Sequence, residues 1–275
     1  MFHRTIIAAT LAFTIAMPAT AQTRGDADAL FDAIGMPQVI TIMRDEGIAG
    51  GGDIAQDMFP AAPRAEWNAA LDDIYDADRM TATARAKFAD ALDGVDTAPM
   101  LDFFTSDLGQ RIVTLEVDAR RAILDDDVER RAKDEAHEQF TDDTPRARQI
   151  TEFIESGDLI EVNVMGALNS SLAFYRGLMA GGAFGAELTE DQALADVWQQ
   201  EPSMRASSTE WLYGYLMLAY SPLSDDDLQT YIDFSDSDAG GDLNTALFAA
   251  FDDVFIQISR ALGVAAAGQM QGDTL

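Results

Sequence analysis

The chain contains no cysteine, two lysines and two histidines. Without cysteine there is no disulfide framework, no thiolate nucleophile and no cysteine-ligated zinc. His3 lies at the extreme N-terminus, which leaves His137 for any Ser–His pair. Its neighbours, Lys133-Asp134-Glu135-Ala136-His137-Glu138, read as a water-facing helix end rather than a catalytic setting. Positive charge is scarce: 18 basic against 48 acidic residues give a net charge of −30. Such a field disfavours nucleic acid and anionic lipid, and it attracts cations and basic partners. Runs of alternating β-branched residues bounded by tight-turn pairs are also missing, so strands are not expected. Gly50-Gly51-Gly52-Asp53 and Gly181-Gly182 lack the lysine and the strand context of a phosphate-binding loop.

The first residues read as a processing signal. Met1–Arg4 is a short basic start, Thr5–Met17 is apolar and uncharged, and Pro18 precedes the small-x-small pattern Ala19-Thr20-Ala21. A leader over residues 1–21 with cleavage before Gln22 is expected, which removes Arg4 and takes the charge to −31. The apolar run is shorter than the roughly 20 residues of a membrane-spanning helix. The sequence therefore predicts a soluble exported chain with no transmembrane segment after processing, placed in the periplasm, with secretion as the alternative destination.

Helix punctuation recurs beyond the leader and predicts an all-α fold. Thr144-Pro145 is an N-cap followed by proline at the first helical position, and Gly157 suits the end of that helix. Thr189-Glu190-Asp191-Gln192 reads as a capping box, and Ser224 precedes three aspartates at another helix start. The pattern predicts helices over Asp26–Ile34 and Pro37–Glu46, a flexible break at Gly47–Gly52 and a short helix near Asp53–Met58. A long helix is expected over Ala65–Ala91, then a short one ending at Thr105, then a long one capped by Ser106. Gly263 is expected to stop the last helix, and Asp125-Asp126-Asp127 and Asp225-Asp226-Asp227 to be exposed helical segments.

The chain also repeats itself. Leu101-Asp102-Phe103-Phe104-Thr105-Ser106-Asp107-Leu108-Gly109 parallels Ile232-Asp233-Phe234-Ser235-Asp236-Ser237-Asp238-Ala239-Gly240 at an offset of 131 (233 minus 102). Trp67 and Trp198, and Leu92 and Leu223, keep that offset. Phe31, Gly35 and Ile40 correspond to Phe153, Gly157 and Val162 at 122, so an insertion of about nine residues is expected near Gly181–Glu190. Two tandem helical repeats follow, over 22–142 and 143–275, joined at Thr141–Thr144. In the repeated motif, aromatic residues close one helix, Ser106 or Ser237 caps the next, and Gly109 or Gly240 admits a close neighbour.

Phe103-Phe104-x-Ser106-x-x-Gly109-Gln110 resembles the signature of an exported bacterial helical family, domain of unknown function 2059. Leu223-Ser224-Asp225-Asp226-Asp227-Leu228 approximates the helix start that precedes the signature there. The resemblance implies a small helical unit, often periplasmic, with no established activity and no catalytic residues to transfer. It spans about a dozen residues in each half; Asp107 and Asp238 stand where the family has proline, and Ser235 where it has an aromatic.

Candidate chemistry is thin. Asp233, Asp236, Asp238 and Asp242 surround Gly240-Gly241, but counting from Asp236 the fifth position is Gly240 and the twelfth is Leu247, so an EF-hand pattern fails. With 48 acids, a carboxylate pair at hydrolase spacing carries no specificity. Leu159–Phe184, interrupted by Glu161, Asn163, Asn169 and Arg176, fits a packed central helix better than a membrane span. Trp211-Leu212-Tyr213-Gly214-Tyr215-Leu216-Met217-Leu218-Ala219-Tyr220 reads as core rather than as a ligand pocket. No catalytic, cofactor or metal residue is assigned and no cofactor is expected. The expected role is non-enzymatic binding or scaffolding of a protein partner, on a surface or groove between the halves. The alternative is a carboxylate-dependent or metal-assisted hydrolase.

Overall fold

The computed structural model describes residues 19–60, 62–183 and 189–272, which form thirteen α-helices and no strand. In the first half these are α1 (Ala19–Ala33), α2 (Met36–Met58), α3 (Arg64–Ile74), α4 (Ala77–Ala91), α5 (Ala98–Phe104), α6 (Asp107–Ala122) and α7 (Asp126–Thr141). In the second they are α8 (Pro145–Ser156), α9 (Leu159–Ala180), α10 (Glu190–Gln199), α11 (Glu201–Tyr220), α12 (Asp225–Ser235) and α13 (Asp238–Gly272). The fold is all-α, as its punctuation predicts. No described helix is long and apolar enough to cross a membrane.

Side-chain caps start most of the helices that the sequence marks. Thr144 accepts from Ala147 N at 3.2 Å, Ser106 from Gly109 N at 3.1 Å and Ser224 from Asp227 N at 3.1 Å. Thr189 and Gln192 form the reciprocal capping box. Each cap satisfies an amide that has no partner within its own helix.

Some helix bounds recur between the halves at a fixed shift, whereas α10 and α11 shifted by 131 fall at 59–68 and 70–89, off α3 and α4, and α13 is unbroken where α6 and α7 are separate. Subtracting 122 places α9 at 37–58, against 36–58 for α2. Subtracting 131 places the end of α12 at 104 and the start of α13 at 107, where α5 ends and α6 starts. The same shift ends α13 at 141, the last residue of α7. The halves interlock: α6 packs on α11 and α13 packs on α4, so each lays its sixth helix on the other's fourth. Reciprocal packing of this kind is the geometry of a two-fold contact. Phe103 and Phe234 stack across it, ring centroids 4.2 Å apart and 12° from parallel. One buried apolar cluster runs through both halves, from Leu30, Phe31 and Trp67 to Tyr220, Leu243 and Ala266.

Several boundaries differ from expectation, each for a packing reason. Gly47–Gly52 is not a break, because α2 runs unbroken through it. A Cβ on Gly47 would lie 2.0 Å from the Tyr75 ring and one on Gly51 2.5 Å from Leu71, so these glycines admit neighbours. Trp67 Nε1 also donates to Gly51 O at 2.8 Å. The expected Ala65–Ala91 helix is divided at Tyr75, where Asp76 caps α4 by accepting from Arg79 N at 2.7 Å. The helix begun by Ser106 likewise ends at Ala122, and Asp125 caps α7 rather than lying within a helix. Gly263 does not stop α13. It marks the place where α13 crosses α9: a Cβ there would sit 2.2 Å from Phe174 O, and one on Gly177 2.2 Å from Arg260 O. Gly177 and Gly181 face Gly263 and Ala267, a small-x-x-x-small pairing that brings the two backbones into contact. Gly109 admits the end of its own preceding helix, since its Cβ would meet Phe103 O at 2.2 Å. Gly240 meets Phe234 O at 2.3 Å in the same way.

The expected leader lies outside the described residues as far as residue 18, and the cleavage point at Ala21–Gln22 falls in the first turn of α1. Residues 184–188 of the expected insertion also lie outside them.

Candidate functional site

α6 presents its apolar face through Ile112, Val113 and Ala119, all buried, and Ile123 is buried just past its end. Glu116 occupies the next helical station on that face, four residues after Ile112 and three before Ala119. It therefore points at α11 and α12 instead of water. Tyr220 donates to Glu116 Oε1 at 2.6 Å, Tyr231 donates to the same oxygen at 3.2 Å, and Tyr215 donates to the Glu116 backbone carbonyl at 3.2 Å. Glu116 is half-buried as a whole, but its carboxyl lies deep, and that burial raises its pKa above the ordinary 4.5 despite the two hydroxyl donors. Burial, with the Glu116 charge beside them, pushes Tyr220 and Tyr231 well above 10, so both remain donors at neutral pH. Phe153 closes the cluster, edge-on to Tyr220 at 5.5 Å and tilted against Tyr231 at 5.1 Å.

A second polar layer adjoins it. Tyr215 stacks on Trp211 at 5.0 Å, and the Arg120 guanidinium lies over the Trp211 ring at 4.7 Å. Arg120 also reaches α2, pairing with Glu46 at 2.5 Å. Its Nε is buried without a hydrogen-bond partner among the described residues, so stacking holds that side of the guanidinium.

The corresponding stations 131 residues away are apolar. Leu247 answers Glu116, and Ala84, Ala89 and Met100 answer Tyr215, Tyr220 and Tyr231. The interlock between α4 and α13 thus forms without a carboxylate at that station, although Lys87 of α4 pairs with Asp253 of α13 at 3.3 Å. The polar cluster is a property of one seam, not a requirement of the architecture.

An open cleft of about 280 Å³ runs between the α3–α4 corner and α13, lined by Arg79, Met80, Thr83, Val254, Gln257 and Ile258 among others. Arg79 is engaged there with the carbonyls of Asp73 and Ile74, closing the end of α3. None of the cleft's lining belongs to the Glu116 cluster.

The residues weighed from sequence are placed as follows. His137 is exposed on α7. Asp233, Asp236, Asp238 and Asp242 are all exposed, and they do not share a loop: Asp236 and Ser237 alone separate α12 from α13. No group of three or more acidic, histidine or cysteine side chains converges as a metal site among the described residues. Asp225–Asp227 form the first turn of α12, as expected. Trp211–Tyr220 is largely core, with Leu212, Leu216, Met217 and Tyr220 buried, while Tyr220 donates to the Glu116 carboxylate and Tyr215 to the Glu116 backbone carbonyl. In α9, Glu161 pairs with Arg205, Asn169 donates to Asp252 and Arg176 pairs with Glu190, so each of these polar interruptions has a partner within the packed helices. Sequence reasoning missed Glu116. The signal was a lone acid at an apolar station, between Leu115 and Val117.

These features define an all-α protein of two interlocked helical halves with one buried carboxylate–tyrosine cluster. Residues 78–136 match the model of a family described as "Uncharacterized protein conserved in bacteria (DUF2059)". That span runs from α4 into α7 and contains the Phe103–Gln110 corner on which the resemblance rests. No curated protein and no solved structure matches the chain.

Proposed function

We propose that the chain is an exported, non-enzymatic binding or scaffold protein of the periplasm, built from two diverged copies of one helical unit. The leader pattern of residues 1–21 supports export, and the helix bounds that recur between the halves support duplication. The net charge of −30 supports a protein partner over nucleic acid. One observation supports binding over hydrolysis: the carboxylate with the perturbed environment is enclosed by tyrosines in the seam, while the lining of the cleft includes Asp73 but no second carboxylate to pair with it. Carboxylate catalysis needs its acid within hydrogen-bond reach of a substrate, which an enclosed group in a packed seam does not offer.

The test pairs capture with turnover. The mature chain, immobilised in periplasmic extract, is expected to retain a defined protein at near-stoichiometric yield in 0.15 M salt. The free chain is expected to show no hydrolysis of ester, glycoside or phosphoester reporters with or without divalent cations. Turnover that Glu116→Gln abolishes would overturn the reading in favour of the hydrolase.

A further inference from the structure

We propose that the outer face of α10 is the docking site for a basic partner segment, one that presents an apolar side chain between Lys or Arg residues. α10 buries Ala193 and Val197, with Val197 packed against Val164 and Leu168 of α9. Leu194 and Trp198, four residues apart and so on one helical face, stay 41% and 53% exposed. Trp198 is the most exposed of the large apolar side chains described. The fold can bury a tryptophan at the matching station: Trp67, 131 residues earlier, is 1% exposed, packs edge-on against Phe59 at 5.0 Å and donates to Gly51 O. At α10 that burial does not occur.

Charge selects the occupant. Beside that face α10 carries Glu190 and Asp191 and no basic residue, whereas Asp196, two residues from both Leu194 and Trp198, lies on another side of the helix. Arg176 engages Glu190, and no ion pair engages Asp191 or Asp196 among the described residues. A second copy of a chain with net charge −30 meets like-charge repulsion, and so does an anionic lipid surface. A cationic segment is attracted to the rim, while its apolar side chain covers Leu194. The exposed indole face of Trp198 is the best aromatic seat for an ammonium or guanidinium. The face therefore offers a basic amphipathic segment three favourable contacts at once.

The inference rests on the binding reading above, and its test is separate from that of the reading. The full mature chain is titrated calorimetrically in 0.15 M salt with two synthetic 16-residue peptides of equal charge. One has Lys and Leu in a helical amphipathic pattern, and the other replaces Leu by Ser. The proposal expects the Lys/Leu peptide to bind the wild-type chain at least tenfold more tightly. Trp198→Ala should erase that preference while the chain still melts cooperatively, Trp198→Phe should keep most of it, and Asp191→Asn should weaken both peptides more than Asp196→Asn does. Equal binding of the two peptides to wild type, or an unchanged preference in Trp198→Ala, would overturn the site. Capture of a partner by the Trp198→Ala chain would leave the binding reading intact while removing this face. Turnover dependent on Glu116 would do the reverse.

Discussion

Glu116 gives the clearest single-residue predictions. Burial raises its carboxyl above 4.5, so the folded chain holds that proton at pH values where the unfolded chain has released it. The stability contributed by Glu116 is then complete below about pH 4.5 and is lost as pH rises through the raised folded value. Glu116→Gln keeps an oxygen acceptor for Tyr220 and removes the charge. Its unfolding free energy in urea should gain on wild type as pH rises from 4.5 through the raised folded value and then level off, and a pH-independent difference would contradict this. Tyr220→Phe removes the shorter of the two bonds to the same oxygen. Such a hydrogen bond contributes about 0.5–1.5 kcal/mol while the carboxyl holds its proton and about 1.5–3 kcal/mol once it is charged, so the loss in the variant should grow as pH rises. The matching change at the apolar seam, Leu247→Glu, would bring a charge to stations answered by Ala84, Ala89 and Met100, with no hydroxyl among them. It should be far more destabilising than Glu116→Gln.

At the scale of elements, the glycines of α2, α9 and α13 separate into two kinds. Gly50 and Gly52 lie inside α2 with nothing within 4 Å of the point a Cβ would occupy. Alanine there should raise stability by up to about 1 kcal/mol through helix propensity alone. Gly177→Ala and Gly263→Ala drive a methyl into the opposite backbone and should lower stability by roughly 1–3 kcal/mol, with thermal melts of the four variants as the readout. The same contrast explains what was legible beforehand. Caps such as Thr144, Ser106, Thr189 and Ser224 act within four residues, so sequence locates them. Gly47, Gly51 and Gly263 depend on Tyr75, Leu71 and Phe174, partners that local spacing does not reveal, and they read as breaks or stops. Asp76 and Asp125 were hidden among so many acids that their capping role carried no local contrast. Glu116 was hidden the same way, since its three tyrosines come from α11 and α12, about 100 residues downstream. The Phe103–Gly109 and Phe234–Gly240 corners were legible because each motif is self-contained. Their mutual stacking was not, because it joins two distant segments.

At the scale of the whole molecule, the interlock sets how the halves depend on each other. α6 and α7 of the first half bury themselves on α11, and α13 of the second buries itself on α4 and α3. Separating the halves would expose both seams, including Phe103, Phe104, Tyr220 and Tyr231. Apolar burial of roughly 25 cal/mol per Å² makes such exposure a large fraction of a domain's net stability. The two halves form one cooperative unit, with the Glu116 cluster sealed where they meet. This is tested most directly by preparing residues 22–142 and 143–275 as separate chains and melting each alone and mixed. Neither half alone should show a cooperative transition, and the equimolar mixture should show a single one. A cooperative melt of either isolated half, unchanged on mixing, would contradict it.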